Sequence, residues 1–218
     1  TFEINIPVPH YAKVEVKKVI SPSTNLGKFN LNVDGVDKAT NIGNNGTTGV
    51  VSVTAGTSAL PGATHTVGES AYTGTNINDY TSTYSCIKRG TTTSVASGTG
   101  VGPVSINFLK DDDIVCTFTN TLKTGTITVQ KYFDGTNPGS YTGSCFTLNP
   151  DPSIGEVCAV DPSGIATFNN VPYGTYSVTE TKLNTGYSMK DNSCSSLVIN
   201  SATPSANCSI TNQRDSGS

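Results

Sequence analysis

Tryptophan is absent from this 218-residue chain, methionine occurs once and histidine twice. Charged residues make up only 13% of it, which excludes the Glu-, Lys- and Ala-rich surface of a helical protein. A net charge of −3 leaves no basic footprint for a nucleic-acid partner. No apolar run approaches the roughly 20 residues that a membrane-spanning helix needs. With so few histidines and no C-x-x-C pair, neither a metal nor a cofactor is expected. G-x-S-x-G, H-E-x-x-H and glycine-rich phosphate loops are all missing, so the chain does not read as an enzyme. No signal peptide opens it, and it reads as a mature fragment or an excerpt of something longer.

What is abundant is short and polar: 33 Thr, 24 Ser and 20 Asn, punctuated by 22 Gly and 11 Pro. That composition predicts an all-β protein of short strands and turns. The same signals also occur twice in the same order. Val14-Glu15-Val16-Lys17-Lys18 answers to Ile127-Thr128-Val129-Gln130-Lys131, and His65-Thr66-Val67-Gly68-Glu69 to Tyr176-Ser177-Val178-Thr179-Glu180. Cys116-Thr117-Phe118-Thr119-Asn120 answers to Cys208-Ser209-Ile210-Thr211-Asn212. A tandem repeat follows, with one domain over 13–121, a second over 125–213 and a tail at 214–218. Residues 1–12 read as a linker from an upstream repeat, and the short joint at 122–125 predicts a semi-rigid rod. About seven alternating strands per domain predict Ig-like β-sandwiches, with loops at 41–49 and 90–102.

An even cysteine count in such a chain predicts disulfides and an extracellular location. Six cysteines permit 15 pairings. The repeat selects Cys86 with Cys116 and Cys194 with Cys208, which leaves Cys145 to Cys158.

The residues that break the alternation carry the chemistry. Lys18 and Lys131 share the inward face of Val16 and Val129, Glu69 and Glu180 that of Val67 and Val178, and Asn120 and Asn212 that of Phe118 and Ile210. Burial favours a neutral amine and a protonated carboxyl. The amine is then a nucleophile, the carboxamide carbon an electrophile, and the acid a proton shuttle. Held together away from water, the three would form a Lys–Asn isopeptide bond with loss of ammonia. Lys17 is a rival nucleophile by sequence, but its parity faces outward.

These motifs, V-x-V-x-K in the first strand, F-N-N-V-P-Y-G-T-Y-S-V-T-E at 168–180 and the closing T-N, resemble the prealbumin-like Cna B-type (SpaA-type) domains of bacterial surface proteins. The resemblance implies adjacent first and last strands and an autocatalytic bond from Lys18 to Asn120 beside Glu69, and from Lys131 to Asn212 beside Glu180. It implies a cell-surface stalk of an adhesin or fibre, whose partners are neighbouring repeats of the same chain. Two alternatives stand beside it: a module binding a host protein or glycan through loops at 72–84, which hold Tyr72, Tyr80 and Tyr84, or at 136–160, and a polymerising subunit donating residues 1–12 as a strand. Asp111-Asp112-Asp113 reads as a solvated turn, and His65 as a strand-face residue.

Overall fold

The computed structural model describes residues 8–57, 62–134, 141, 143–160 and 162–217. It divides into two compact units, Thr1–Leu122 and Lys123–Ser218. The one helical element among the described residues is a single 3-10 turn at Ile77–Asp79.

Unit 1 holds strands β1 (His10–Ser21), β2 (Phe29–Val33), β3 (Val36–Ile42), β4 (Thr47–Ala55), β5 (Ala63–Ala71), β6 (Tyr80–Lys88), β7 (Ser94–Thr99), β8 (Val104–Phe108) and β9 (Asp113–Leu122). They form a five-stranded sheet, β4-β1-β9-β6-β7, and a four-stranded sheet, β3-β2-β5-β8. The alternating apolar residues of both sheets point inward and fuse into one core: Val14 and Val16 of β1 and Phe118 of β9 meet Leu31, Val67, Ile106 and Phe108 of the other sheet. The β2–β3 hairpin turns through Asp34 and Gly35 with φ of 54° and 70°. Two positive φ values are the type I′ geometry that a two-residue hairpin requires, which is why the pair is Asp-Gly.

Unit 2 holds β10 (Thr124–Asp134), β11 (Cys145–Asn149), β12 (Val157–Cys158), β13 (Ile165–Pro172), β14 (Gly174–Lys182), β15 (Tyr187–Asn192), β16 (Leu197–Ile199) and β17 (Ser205–Arg214). Its sheets are ordered β13-β10-β17-β15 and β12-β11-β14-β16, around a core that includes Val129, Phe146, Phe168, Val178 and Ile210. Both units are therefore β-sandwiches of the expected class.

Two expected loops contain strand. Residues 47–49, the end of the first, open β4, which pairs with β1, and Ser94–Thr99, within the second, pairs with β6. Both are edge strands, and most of their residues keep contact with water on at least one side. Their Gly/Thr/Ser composition therefore lacks the apolar alternation that marks a covered strand. All six cysteines are paired, Cys86–Cys116, Cys145–Cys158 and Cys194–Cys208, as the repeat predicts.

Phe168 is fully buried opposite Ile127. Phe168→Ala should destabilise unit 2 by about 3–5 kcal/mol, read as a lower urea midpoint; an unchanged midpoint would show that the core is not where it is described.

Candidate functional site

The site in each unit is set by one unusual adjacency. The first and last strands lie side by side and parallel, β1 with β9 and β10 with β17. Lys18 is in register with Phe118 and Ile20 with Asn120. Lys131 is in register with Ile210 and Phe133 with Asn212. In both units the asparagine thus stands one same-face step along from the lysine, diagonally across the ladder. The acid arrives from the facing sheet: Glu69 on β5 opposite Leu31, and Glu180 on β14 opposite Phe146.

In unit 1, Lys18 and Asn120 are 0% exposed and Glu69 is 4% exposed. The Lys18 Nζ lies 2.7 Å from Glu69 Oε2 and donates to the Phe118 carbonyl at 3.3 Å. The contact with Glu69 is an ion pair by distance but lacks hydrogen-bond angles. The Phe29 ring closes over the amine, its centroid 4.4 Å from Nζ. Neither polar atom of the Asn120 amide has a hydrogen-bond partner among the described residues. Burying an amide unsatisfied is costly, and few native side chains do so without a chemical reason.

Unit 2 assembles the same three groups more tightly. Lys131 and Asn212 are fully buried, and the Glu180 side chain is nearly so. Lys131 Nζ reaches both Glu180 oxygens, at 3.0 and 3.2 Å, and Asn212 Nδ2 donates to Glu180 Oε1 at 3.3 Å. The acid bridges amine and amide, while Asn212 Oδ1 is left without a partner. Phe133, two residues beyond the lysine, places its ring centroid 5.2 Å from Nζ.

Burial sets the charges. It pushes the Lys18 amine down to about 8, against the opposing pull of Glu69. Burial raises the Glu69 carboxyl, with Lys18 and the neighbouring Asn120 acting the other way. The Lys131 amine is lowered, again by burial, against the hydrogen bond and charge of Glu180. In unit 1 these shifts favour a neutral amine beside a protonated acid.

The sequence did not disclose the two phenylalanines against the amines, nor the burial of Glu15. That carboxylate faces away from the core, but Thr47 Oγ1 donates to it at 2.7 Å and Arg89 covers it at 2.8 Å. Lys17 points outward, with its side chain 47% exposed. Tyr72, Tyr80 and Tyr84 do not form one surface. Tyr80 packs edge-on against Phe29, Tyr84 leans on Phe118, and Tyr72 is exposed. His65 pins two strands, its Nδ1 2.7 Å from Asp34 Oδ2 and its Nε2 3.0 Å from the Thr54 carbonyl. Asp112 and Asp113 are paired with Lys88 and Arg89.

Unit 1 should register the Lys18 shift as a pH-dependent stability when the site cannot react. In Asn120→Ala the unfolded chain binds the Lys18 proton up to its ordinary 10.5, whereas the folded chain releases it near 8. Stability therefore rises with pH through that window. Glu69 works in the opposite sense: the folded state keeps a proton that the unfolded chain loses above 4.5, so stability falls from 4.5 towards the raised value. Urea unfolding across both windows checks this. The upper rise should vanish in Lys18→Met/Asn120→Ala, and a rise that persists there would contradict the assignment.

Residues 13–122 and 125–214 each match a family model described as a prealbumin-like fold domain. No curated protein matches the sequence. Among solved structures, the Bacillus anthracis TIE protein is 16% identical with a TM-score of 0.54; the match covers 94% of this chain and 34% of that one. This chain thus spans about a third of that protein's length. Two B repeat units of the collagen-binding protein Cna of Staphylococcus aureus are 12% identical, with a TM-score of 0.31, over 95% of this chain and 76% of that one. A D312A form of BcpA, the major pilin subunit of Bacillus cereus, is 13% identical, with a TM-score of 0.34, over 93% and 99%. With a parallel first-and-last-strand sandwich in each half and a family match to each, the chain belongs to the prealbumin-like fold domain family as a tandem pair.

Proposed function

We propose that this chain is a structural stalk segment of a bacterial surface adhesin or fibre, locked by one autocatalytic isopeptide bond in each unit. The observation that carries the reading is the buried trio spanning the two terminal strands, repeated with the same register offset. Lys18 Nζ attacks Asn120 Cγ, and Lys131 Nζ attacks Asn212 Cγ. The new C–N bond replaces the bond from Cγ to Nδ2. Glu69 or Glu180 passes the amine's proton to the departing nitrogen, which leaves as ammonia. The acid ends as it began, so each reaction is a single turnover and consumes no cofactor.

Mechanics follows from direction. Load enters a unit at the start of its first strand and leaves at the end of its last. Because the two strands are parallel, tension shears their ladder rather than unzipping it. A covalent bond across that ladder bypasses every residue between, whereas noncovalent folding offers only about 5–15 kcal/mol. Closing a loop of roughly 100 residues adds about 4.7 kcal/mol in the chain-entropy model.

Pulling the tandem by its ends tests the mechanical role. The wild-type chain should lengthen by less than either unit's unfolded contour, and Lys131→Ala should release unit 2 alone. Full extension of the wild-type chain at ordinary unfolding forces would refute it.

A further inference from the structure

The two units differ in where their disulfides run. In unit 1, Cys86 and Cys116 are register partners on neighbouring strands of one sheet, β6 and β9. The acid Glu69 belongs to the other sheet, so this bond does not set the distance from acid to amide. In unit 2, Cys194 stands between the sheets. Its carbonyl accepts from Val178 N of β14 at 2.9 Å, and its sulfur is bonded to Cys208 of β17. Val178 lies two residues before the acid Glu180, and Cys208 four residues before the amide Asn212; both offsets keep the same strand face.

The neighbours of Cys194 reinforce the same crossing. Asn192 Nδ2 donates to the Val178 carbonyl at 3.4 Å, and Asn192 Oδ1 accepts from Cys194 N at 2.7 Å. Ser193 N donates to the Ser209 carbonyl at 3.0 Å. Residues 192–194 thus clasp the acid's strand on one side and the amide's strand on the other, with Cys194 fully buried. At the reacting groups, Asn212 Nδ2 donates to Glu180 Oε1 at 3.3 Å.

We infer that the Cys194–Cys208 disulfide is a positioning device for the Lys131–Asn212 crosslink, so that closure of unit 2 is conditional on oxidation of this cysteine pair. The inference rests on the isopeptide reading above and adds a redox order to it. Oxidation comes first: two thiols lose two protons and two electrons to an external disulfide, which becomes two thiols. The clasp then fixes acid against amide, and the amine attacks. Reactions that depend on such alignment lose rate steeply when the groups are displaced by about 1 Å.

Cys145–Cys158 supplies the control. It spans 13 residues against 14 for Cys194–Cys208, so the two close loops of equal entropy, but it joins β11 to β12 within one sheet. The chain is synthesised in a cell-free reaction containing oxidised glutathione, and ammonia loss at each unit is followed by mass spectrometry of timed digests. Cys194→Val/Cys208→Val should slow the unit 2 crosslink about tenfold or more, while Cys145→Val/Cys158→Val should leave it within about twofold. The unit 1 crosslink in the same molecules is the internal reference.

Equal slowing in both variants would reduce the disulfide to general stabilisation and overturn the inference. Should the Cys194/Cys208 variant not fold, the order of events in the wild-type chain decides, with thiols trapped by alkylation. Disulfide-bonded, uncrosslinked chains should appear first; accumulation of crosslinked chains with Cys194 and Cys208 still free would overturn it. Absence of ammonia loss at either unit from the oxidised wild type would instead remove the isopeptide reading on which this one stands.

Discussion

A lysine with no exposed surface is the constraint on which both units turn. An ammonium withdrawn from water costs several kcal/mol even when it is paired, and each unit accepts that cost at the centre of its main sheet, at Lys18 and Lys131. A carboxyl from the facing sheet offsets part of it. The asparagine amide beside them remains incompletely satisfied in both units, with Asn212 leaving its oxygen unpaired. The proposed amide bond would remove the difficulty at its source. The ionisable amine would become a neutral, planar N–H, and ammonia would carry the surplus nitrogen away. That relief would give the proposed reaction a direction without any outside energy source.

The rest of the fold exists to make that meeting possible. Parallel pairing of a first and a last strand demands that everything between them be folded on the way, because parallel neighbours cannot be joined by a tight turn. The intervening strands provide both the second sheet that delivers the acid and the apolar walls that dry the site. Phe29 and Phe133 finish the walls, and they come from different strands: β2 in unit 1, and β10 itself in unit 2. The two units therefore reach one chemical arrangement through different local packing, and unit 2 alone ties the segment crossing between its sheets, at Cys194, to the amide's strand by a disulfide.

Much of this was legible in the sequence because burial leaves a period. Lys18, Glu69 and Asn120 each fall in phase with an apolar neighbour, and their counterparts Lys131, Glu180 and Asn212 repeat the phase, so the members of each buried trio could be named residue by residue. The cysteine pairing was legible for the same reason. Strand register was not: that Asn120 stands opposite Ile20, and Asn212 opposite Phe133, depends on how whole sheets pack. Edge strands such as Ser94–Thr99 were hidden because a half-solvated strand carries no apolar alternation. The burial of Glu15 was hidden because Thr47 and Arg89, which cover it, are 32 and 74 residues away in the chain.

The central claim is that a covalent bond joins the terminal strands of each unit. Proteolysis of the chain after reduction and alkylation of its cysteines, followed by fragment-ion sequencing, addresses it without reference to stability or force. The account predicts two branched peptides, one joining the segment around Lys18 to that around Asn120 and one joining Lys131 to Asn212, each lighter than the sum of its two linear peptides by one ammonia. Recovery of all four segments as linear peptides with unmodified lysine and asparagine would contradict it.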